Sequence, residues 1–298
     1  MQGRYQTADQ ALVREMNLSI ILRYLHAGGP MSRASLASLA GLNKTTVSSL
    51  ADELRRRGLI HDVGLDNTRA GRPATLLELN PDAGLIAGVA LGVDFVSVIL
   101  ADFVGQIRWR RLEAVDPGES QQDIGFGRDA GRRILGLGIA TPGTVDVDRG
   151  LLIFSPNLQW RDVAYRKIFR RTGLPVLVDN DANAAAQAEH LFGVARQAQN
   201  FLCVFGGVGI GGGLFLDGKL YRGAGGFAGE IGHTNLMAEG YRRPCRCGSR
   251  GCWETLVAQD SIVERVRTRL LAGRNSLVSR LMAERQVSLG LPLIVEAA

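Results

Sequence analysis

Four soft metal ligands fall within one short stretch of this chain, and they restrict its folding more than any other feature. His233 is followed by Cys245, Cys247 and Cys252 in the spacing His-x11-Cys-x-Cys-x4-Cys. One imidazole and three thiolates make a structural zinc set, and cysteines this crowded suit a metal better than a disulfide framework. Gly248 and Gly251 would let the backbone turn around the ion. Four protein ligands leave no open coordination position, so hydrolytic metal chemistry is not expected. The plain alternative is three free thiols beside a surface histidine. The fourth cysteine, Cys203, lies in an apolar strand pattern and reads as core. Thiolate ligands imply a reducing compartment, the cytoplasm.

The length, 298 residues, is enough for two ordinary domains. Hydrophobic residues make up 46% and charged residues 21%, a globular balance. The formal net charge is +6. Residues 1–80 carry ten Lys/Arg against seven Asp/Glu, and the rest of the chain 25 against 22. The charge is therefore densest at the N-terminus, as a DNA-binding head requires, although a weakly basic surface with no partner has the same composition. The longest apolar runs, Leu85–Leu100 and Phe201–Phe215, are broken by Gly or Asp and read as buried strands rather than membrane spans. Neither a secretory leader nor a membrane partner is expected.

Three helical patterns open the chain. The first, from about Leu12 to Leu25, sets Val13, Met16, Ile20 and Tyr24 at helical spacing, with Leu18, Ile21, Leu22 and Leu25 widening the stripe. Gly28, Gly29 and Pro30 end it. Ser32 can cap a short second helix whose Leu36, Leu39 and Ala40 point inward. Gly41 and Leu42 form a turn, and Asn43 caps a third helix running through Val47, Leu50 and Leu54 to about Arg57. A short helix, a glycine turn and a second helix make a helix-turn-helix. The first turn of the third helix offers Asn43, Lys44, Thr45, Thr46 and Ser48, short polar side chains suited to base edges in a major groove. Ser49 faces either the groove or its wall. Arg55, Arg56 and Arg57 at the far end reach phosphates or simply solvate the helix. An alternating stretch after Ile60, a loop with Arg69, Gly71, Arg72 and Pro73, and Thr75–Leu79 form a hairpin, or wing. Its Arg72 either enters a minor groove or occupies an ordinary turn. The order of elements favours DNA binding over a protein-docking head.

From Leu85 onward the pattern becomes α/β. Strands are expected at Leu85–Asp102 (two, around a glycine turn), Ile107–Trp109, Ile134–Ala140 and Val176–Val178. The last delivers Asp179, Asn180, Asp181, Ala182 and Asn183 to the carboxyl end of the sheet, just before a helix from Ala184 to Phe192, where ligands bind in such sheets. A strand at Phe201–Phe205 feeds the run Gly206–Gly213, read as a glycine loop that either approaches an anion or sugar or simply makes a tight hairpin. Asn180, Asp181, Glu230 and Glu254 offer the acceptors and the amide donor that vicinal hydroxyls need.

These pieces together resemble the ROK family (repressors, open reading frames and kinases), particularly its xylose-repressor and N-acetylglucosamine-repressor branch. The resemblance is carried by SRASLASLAGLNKTTVSSLADELRRRGLI, AGRPATLLELNP, ATPGTVD, SPNLQWRDV, VDNDANAAAQAEHLFG, GIGGGLFLDGKLYRGAGGFAGEIGH and CRCGSRGCWE, and it spans residues 9 to about 260. It implies a winged helix-turn-helix over residues 1–80. Residues 81–298 would then form an actin-like, ribonuclease-H-like two-lobed sugar-kinase domain with a shortened C-terminal region and an incomplete second lobe. It implies zinc on His233, Cys245, Cys247 and Cys252, and sugar contacts from Asn180, Asp181, Glu230, His233 and Glu254, with His233 serving both through its two ring nitrogens. Asp181 matches the general base of the family's kinases and is here a vestigial one. The implied partners are double-stranded operator DNA, a monosaccharide or sugar derivative as effector, and a second or further copies of the chain as homodimer or homotetramer.

The chain departs from the kinases where they hold nucleotide. Ala90-Leu91-Gly92-Val93-Asp94 stands in place of an Asp-x-Gly-Gly-Thr loop, and Asp94 would repel phosphate. Gly207-Val208-Gly209 replaces Gly-Thr-Gly, removing a hydroxyl donor. A non-catalytic regulator is therefore expected. The alternatives are a hexose kinase using ATP and a constitutive DNA binder with a degenerate sensor.

Overall fold

The computed structural model describes residues 10–66, 73–115, 133–236 and 243–298. Its first helix, α1 (Gln10–Gly28), buries Leu18, Ile21 and Leu25. The expected inward positions Val13 and Met16 are instead exposed, Met16 by 57%. The reason is phase: at about 100° per residue Leu18, Ile21 and Leu25 share one face and Val13 and Met16 point away from it, while Arg14 between them still reaches Glu53. The helices that α1 meets are α2 (Arg33–Ala40) and α3 (Lys44–Arg56).

Both caps form as the sequence suggests. The Ser32 hydroxyl accepts from the Ser35 amide at 3.2 Å, and Asn43 Oδ1 accepts from the Thr46 amide at 2.7 Å. Gly41 ends α2 in the left-handed region at φ 64°, where a side chain would be strained. Leu36 and Ala37 fill the core from α2, whereas Leu39, expected inward, is 50% exposed, and its carbonyl accepts the Tyr24 hydroxyl at 2.7 Å. Val47, Leu50, Ala51 and Leu54 face the core from α3.

A two-residue strand, β1 (Met31–Ser32), completes a small antiparallel sheet with β2 (Ile60–Asp66) and β3 (Ala74–Leu79), in the order β1-β3-β2. β2 and β3 form the expected hairpin, with a register shift between Asp62 and Gly64. Ile60, Leu77 and Leu79 close the core, and Phe103 and Val104 pack against it.

The next strands are β4 (Leu85–Leu91), β5 (Phe95–Asp102), β6 (Ile107–Ala114) and β7 (Ile134–Thr141). Then come β8 (Thr144–Asp146), β9 (Leu151–Ser155), β10 (Trp160–Ala164), the single turn α4 (Tyr165–Ile168) and β11 (Val176–Asn180). A five-stranded sheet has the order β11-β7-β4-β5-β6, and β10-β9-β8 form an antiparallel meander that the alternation did not reveal. At the β5–β6 turn Asp102 is fully buried. It accepts from the Val104 and Gln106 amides and from Arg108, so its charge is compensated.

Helix α5 (Asp181–Leu191) follows β11 and packs on a sheet of β12 (Phe201–Gly206), β13 (Ile210–Leu216) and β14 (Lys219–Tyr221). Here the sequence reading needs correction. Gly211, Gly212 and Gly213 are not in a loop; they pair with Phe205, Val204 and Cys203 as part of β13. A Cβ on Gly211 would lie 2.7 Å from Ala182 Cβ, and one on Gly213 would lie 2.7 Å from the Ala182 carbonyl and closer still to Ala186 Cβ. The glycines let helix and strand backbones touch. The chain ends in α6 (Glu254–Val257), α7 (Gln259–Leu271), α8 (Leu277–Arg285) and α9 (Leu291–Glu296).

The residues group into two compact units. Of the described residues, those up to Gly88 group with Val98–Arg111 and the start of β7, and those from Gly138 onward group with Val89–Ser97. Among the described residues no helix is long and apolar enough to cross a membrane.

Candidate ligand cleft and metal centre

The turn from β11 into α5 is built around Asn180. Its Oδ1 accepts from the amides of Ala182 (2.9 Å) and Asn183 (3.1 Å), and its Nδ2 donates to the Gly143 carbonyl at 3.1 Å. One amide hydrogen is left for a ligand. Asp181 begins α5 and accepts from the Ala182 amide at 2.9 Å. A helix N-terminus ordinarily favours a charged carboxylate. Burial dominates here and pushes the Asp181 carboxyl above its usual range.

Beside this turn lies a pair that the sequence reading missed. Arg222, just after β14, grips Asp179 with both arms, Nη1 to Oδ1 at 2.7 Å and Nη2 to Oδ2 at 2.6 Å. A basic residue at the head of the glycine-rich YRGAGGFAGE segment was the available signal. Asp179, Asn180, Asn183, Arg222 and Glu230 line a small cleft of about 50 Å³ whose remaining wall is mostly glycine. Gly229, at φ 119°, lies so close to β13 that a Cβ there would fall on the Gly212 carbonyl.

Of the five expected sugar-contact residues, Asn180 and Glu230 line the cleft directly. His233 stands behind Glu230, its Nε2 3.6 Å from Glu230 Oε2 and its Nδ1 3.5 Å from Glu254 Oε1. Burial, reinforced by the carboxylates of Asp181 and Glu254 against the opposing His233, raises the Glu230 carboxyl above its usual range. The acids therefore share one electrostatic environment, although Asp181 does not line the cleft. The other oxygen of Glu254 faces Gly209: a Cβ there would lie 3.0 Å from it and 3.4 Å from Asn157 Nδ2. Asn157 is a second polar group that the sequence reading did not single out.

The four expected ligands do converge. The ligand atoms of His233, Cys245, Cys247 and Cys252 all lie within 4.8 Å of one another. Cys247 Sγ is 3.8 Å from Cys252 Sγ, and Cys245 Sγ is 3.7 Å from His233 Nδ1. Zinc–ligand bonds of about 2.3 Å to sulfur and 2.0–2.1 Å to nitrogen imply tetrahedral edges of about 3.8 and 3.6 Å. The donor set therefore fits a tetrahedral ion in chemistry, and these two edges match it in spacing. Gly248 and Gly251 have φ of 92° and 79°, and the Cys247 amide points at Cys245 Sγ from 3.4 Å. Burial, followed by the Glu254 carboxylate 2.7 Å away, holds the Cys245 thiol well above its usual range, so an ion must displace a firmly held proton. The imidazole presents Nδ1 to the sulfur cluster and Nε2 to Glu230, so one ring faces both the metal side and the cleft side.

In the N-terminal unit, Asn43, Lys44 and Thr45 are exposed at the start of α3, while Thr46 and Ser48 are half-buried. Ser49 faces α1, with its hydroxyl 3.5 Å from Arg14. Arg55 pairs with Asp52 and Asp62, and Arg57 with Glu15 and Glu53, so these arginines brace the unit's own surface. Arg56 is exposed and has no such pair among the described residues. Arg69 and Arg72 lie outside the described residues.

Comparison with known proteins agrees with this geometry. A family model described as ROK family matches residues 123–288. The xylose repressor of Bacillus subtilis (strain 168) is 34% identical over 275 residues, covering 88% of this chain and 71% of that protein. A crystal structure of a ROK family transcriptional regulator, a homolog of the E. coli MLC protein, superposes with a TM-score of 0.76 at 25% identity, over 96% of this chain and 74% of that one. A ROK family glucokinase from Streptomyces griseus, solved with glucose and AMPPNP, superposes with a TM-score of 0.55 at 33% identity, over 63% and 62%. The fold is thus the actin-like sugar-kinase fold shared by ROK regulators and kinases. With a family model matching more than half of its residues and a relative aligned along most of its length, this chain belongs to the ROK family.

Proposed function

We propose that this chain is a DNA-binding transcriptional repressor of carbohydrate genes whose hold on its operator responds to a sugar. Residues 1–80 act as a winged helix-turn-helix head and residues 81–298 as the sensor. The observation that carries this reading is the start of α3: a capped helix, braced from behind by Val47, Leu50 and Leu54, that presents Asn43, Lys44 and Thr45 outward. Such an end suits the major groove, with Thr46 and Ser48 at its margin and Arg72 of the hairpin loop reaching the adjacent minor groove. The similarity to a xylose repressor supports the same reading.

Asn180, Asp181, Glu230, His233 and Glu254 bind the sugar. Zinc on His233, Cys245, Cys247 and Cys252 is structural: it fixes the imidazole, which in turn orients Glu230. The ligand alters DNA binding only insofar as it favours one of two head arrangements over the other. The protein acts as a homodimer or homotetramer on palindromic DNA in the reducing cytoplasm. It does not transfer phosphate, because Ala90, Asp94 and Val208 replace the groups that would hold nucleotide, which leaves Asp181 as a base without a reaction.

The test is fluorescence anisotropy of operator DNA from neighbouring carbohydrate genes, with and without a panel of sugars. Tight binding released by one sugar is the expected result. Binding that no sugar changes leaves a constitutive binder, and ATP-dependent phosphorylation of a hexose that is lost in Asp181→Asn would replace the reading with a kinase.

A further inference from the structure

Anion sites in proteins of this architecture draw on a cation, a helix N-terminus and a glycine loop. This cleft has all three beside it, and the cation and the first helix amides are already engaged. Arg222 is the cation among the lining residues, and Asp179 occupies both arms of its fork at 2.7 and 2.6 Å. The N-terminus of α5 points its first amides at protein oxygens: Ala182 donates to Asn180 and Asp181, and Asn183 donates to Asn180. Two glycines of the wall, Gly211 and Gly212, belong to the β12–β13 ladder. At the remaining turn the Gly207 amide donates to the Gly209 carbonyl at 2.9 Å, with the Glu254 carboxylate against Gly209. One neutralised cation thus faces the lining carboxylate of Glu230, with Asp181 and Glu254 adding to the same negative field.

We propose that the cleft selects an uncharged sugar and rejects its phosphorylated or uronate counterpart, because the fork of Arg222 is closed by Asp179. This rests on the sugar-sensor reading and narrows its ligand. The neutral polar edge of the cleft (the spare Asn180 hydrogen, Asn183 and the carboxylate acceptors) matches hydroxyls. A phosphate would bring a charge of about −1.5 to −2 into a site whose lining cation is already paired with Asp179 and which carries the Glu230 carboxylate. Asp179 and Arg222 are therefore specificity-determining residues, and Asp179 acts through its partner.

The test is isothermal titration of the full zinc-loaded chain with matched pairs: xylose, glucose and N-acetylglucosamine, each against its phosphate ester, with glucuronate as the carboxylate probe. The sugar that binds is expected to exceed its phosphate by about a hundredfold, from like-charge repulsion in a partly desolvated cleft. A phosphate that binds as well as the parent sugar overturns the selectivity while leaving the sensor reading intact. Failure of every probe overturns both. Asp179→Asn, which loosens one arm of the fork, is expected to narrow that ratio by about tenfold, provided zinc content and melting match the parent. An unchanged ratio in such a folded variant removes Arg222 and Asp179 from specificity, and if the variant does not fold, the ratio in the parent chain still decides the selectivity.

Discussion

Replacing Gly213 by alanine tests whether the glycine run is a packing device or a loop. The new Cβ would lie 2.7 Å from the Ala182 carbonyl oxygen and nearer still to Ala186 Cβ. Carbon contacts settle at about 3.5–4.0 Å, so β13 and α5 must separate by about 1 Å. Neither obstacle can rotate aside, since one is backbone and the other a methyl group fixed to it. Overpacking of this kind costs about 1–3 kcal/mol, and rigid obstacles put Gly213→Ala at the upper end, about 3 kcal/mol. At about 2–4 °C per kcal/mol for a unit of this size, the midpoint should fall by about 6–12 °C. Gly207→Ala is the control: its Cβ meets nothing within 4 Å, and its cost should stay within about 0.5 kcal/mol. Calorimetry of the two zinc-saturated variants reads the difference. Because α5 begins at Asp181 and is capped by Asn180, Gly213→Ala should also weaken sugar binding. Equal melting of the two variants would refute the packing argument and restore the loop reading.

Cys247→Ser is expected to lower bound zinc, measured by elemental analysis, and to blunt the sugar response more than bare DNA affinity, because the knuckle holds His233 behind Glu230. Lys44→Ala should weaken DNA binding, with the log–log salt slope falling by no more than about 0.9, the size of one cation–phosphate contact. Arg55→Ala should leave that slope unchanged, since Asp52 and Asp62 already hold Arg55. Asp181 has a native pKa raised by burial, so the folded state holds its proton more tightly than the unfolded chain does. Its contribution is therefore most favourable below the unfolded value and declines as pH rises through the native one. Asp181→Asn removes that decline, and its stability advantage over the parent should grow from pH 4 to pH 7 in denaturant titrations; an advantage independent of pH would contradict the burial argument.

Local chemistry was legible in the sequence wherever neighbours along the chain decide the outcome. Ser32, Asn43 and Gly41 set the helix ends, because caps and left-handed turns are satisfied within a few residues. The metal ligands were legible because His233 and three cysteines stand at ligand spacing within one short stretch of chain. Asn180 was found at the end of its strand, since strand-to-helix turns at a sheet's carboxyl end follow from the period of the pattern. Other features depended on what lies across the fold. The sequence marked α1 as amphipathic, but which face it buries was decided by where α2, α3 and β3 pack against it. The run Gly211–Gly213 has the composition of a loop; pairing with β12 makes it a strand, and the approach of Ala182 and Ala186 explains its glycines. The grip of Arg222 on Asp179 joins residues more than forty positions apart, a distance over which no sequence period carries information, and the charge character of the cleft is set there.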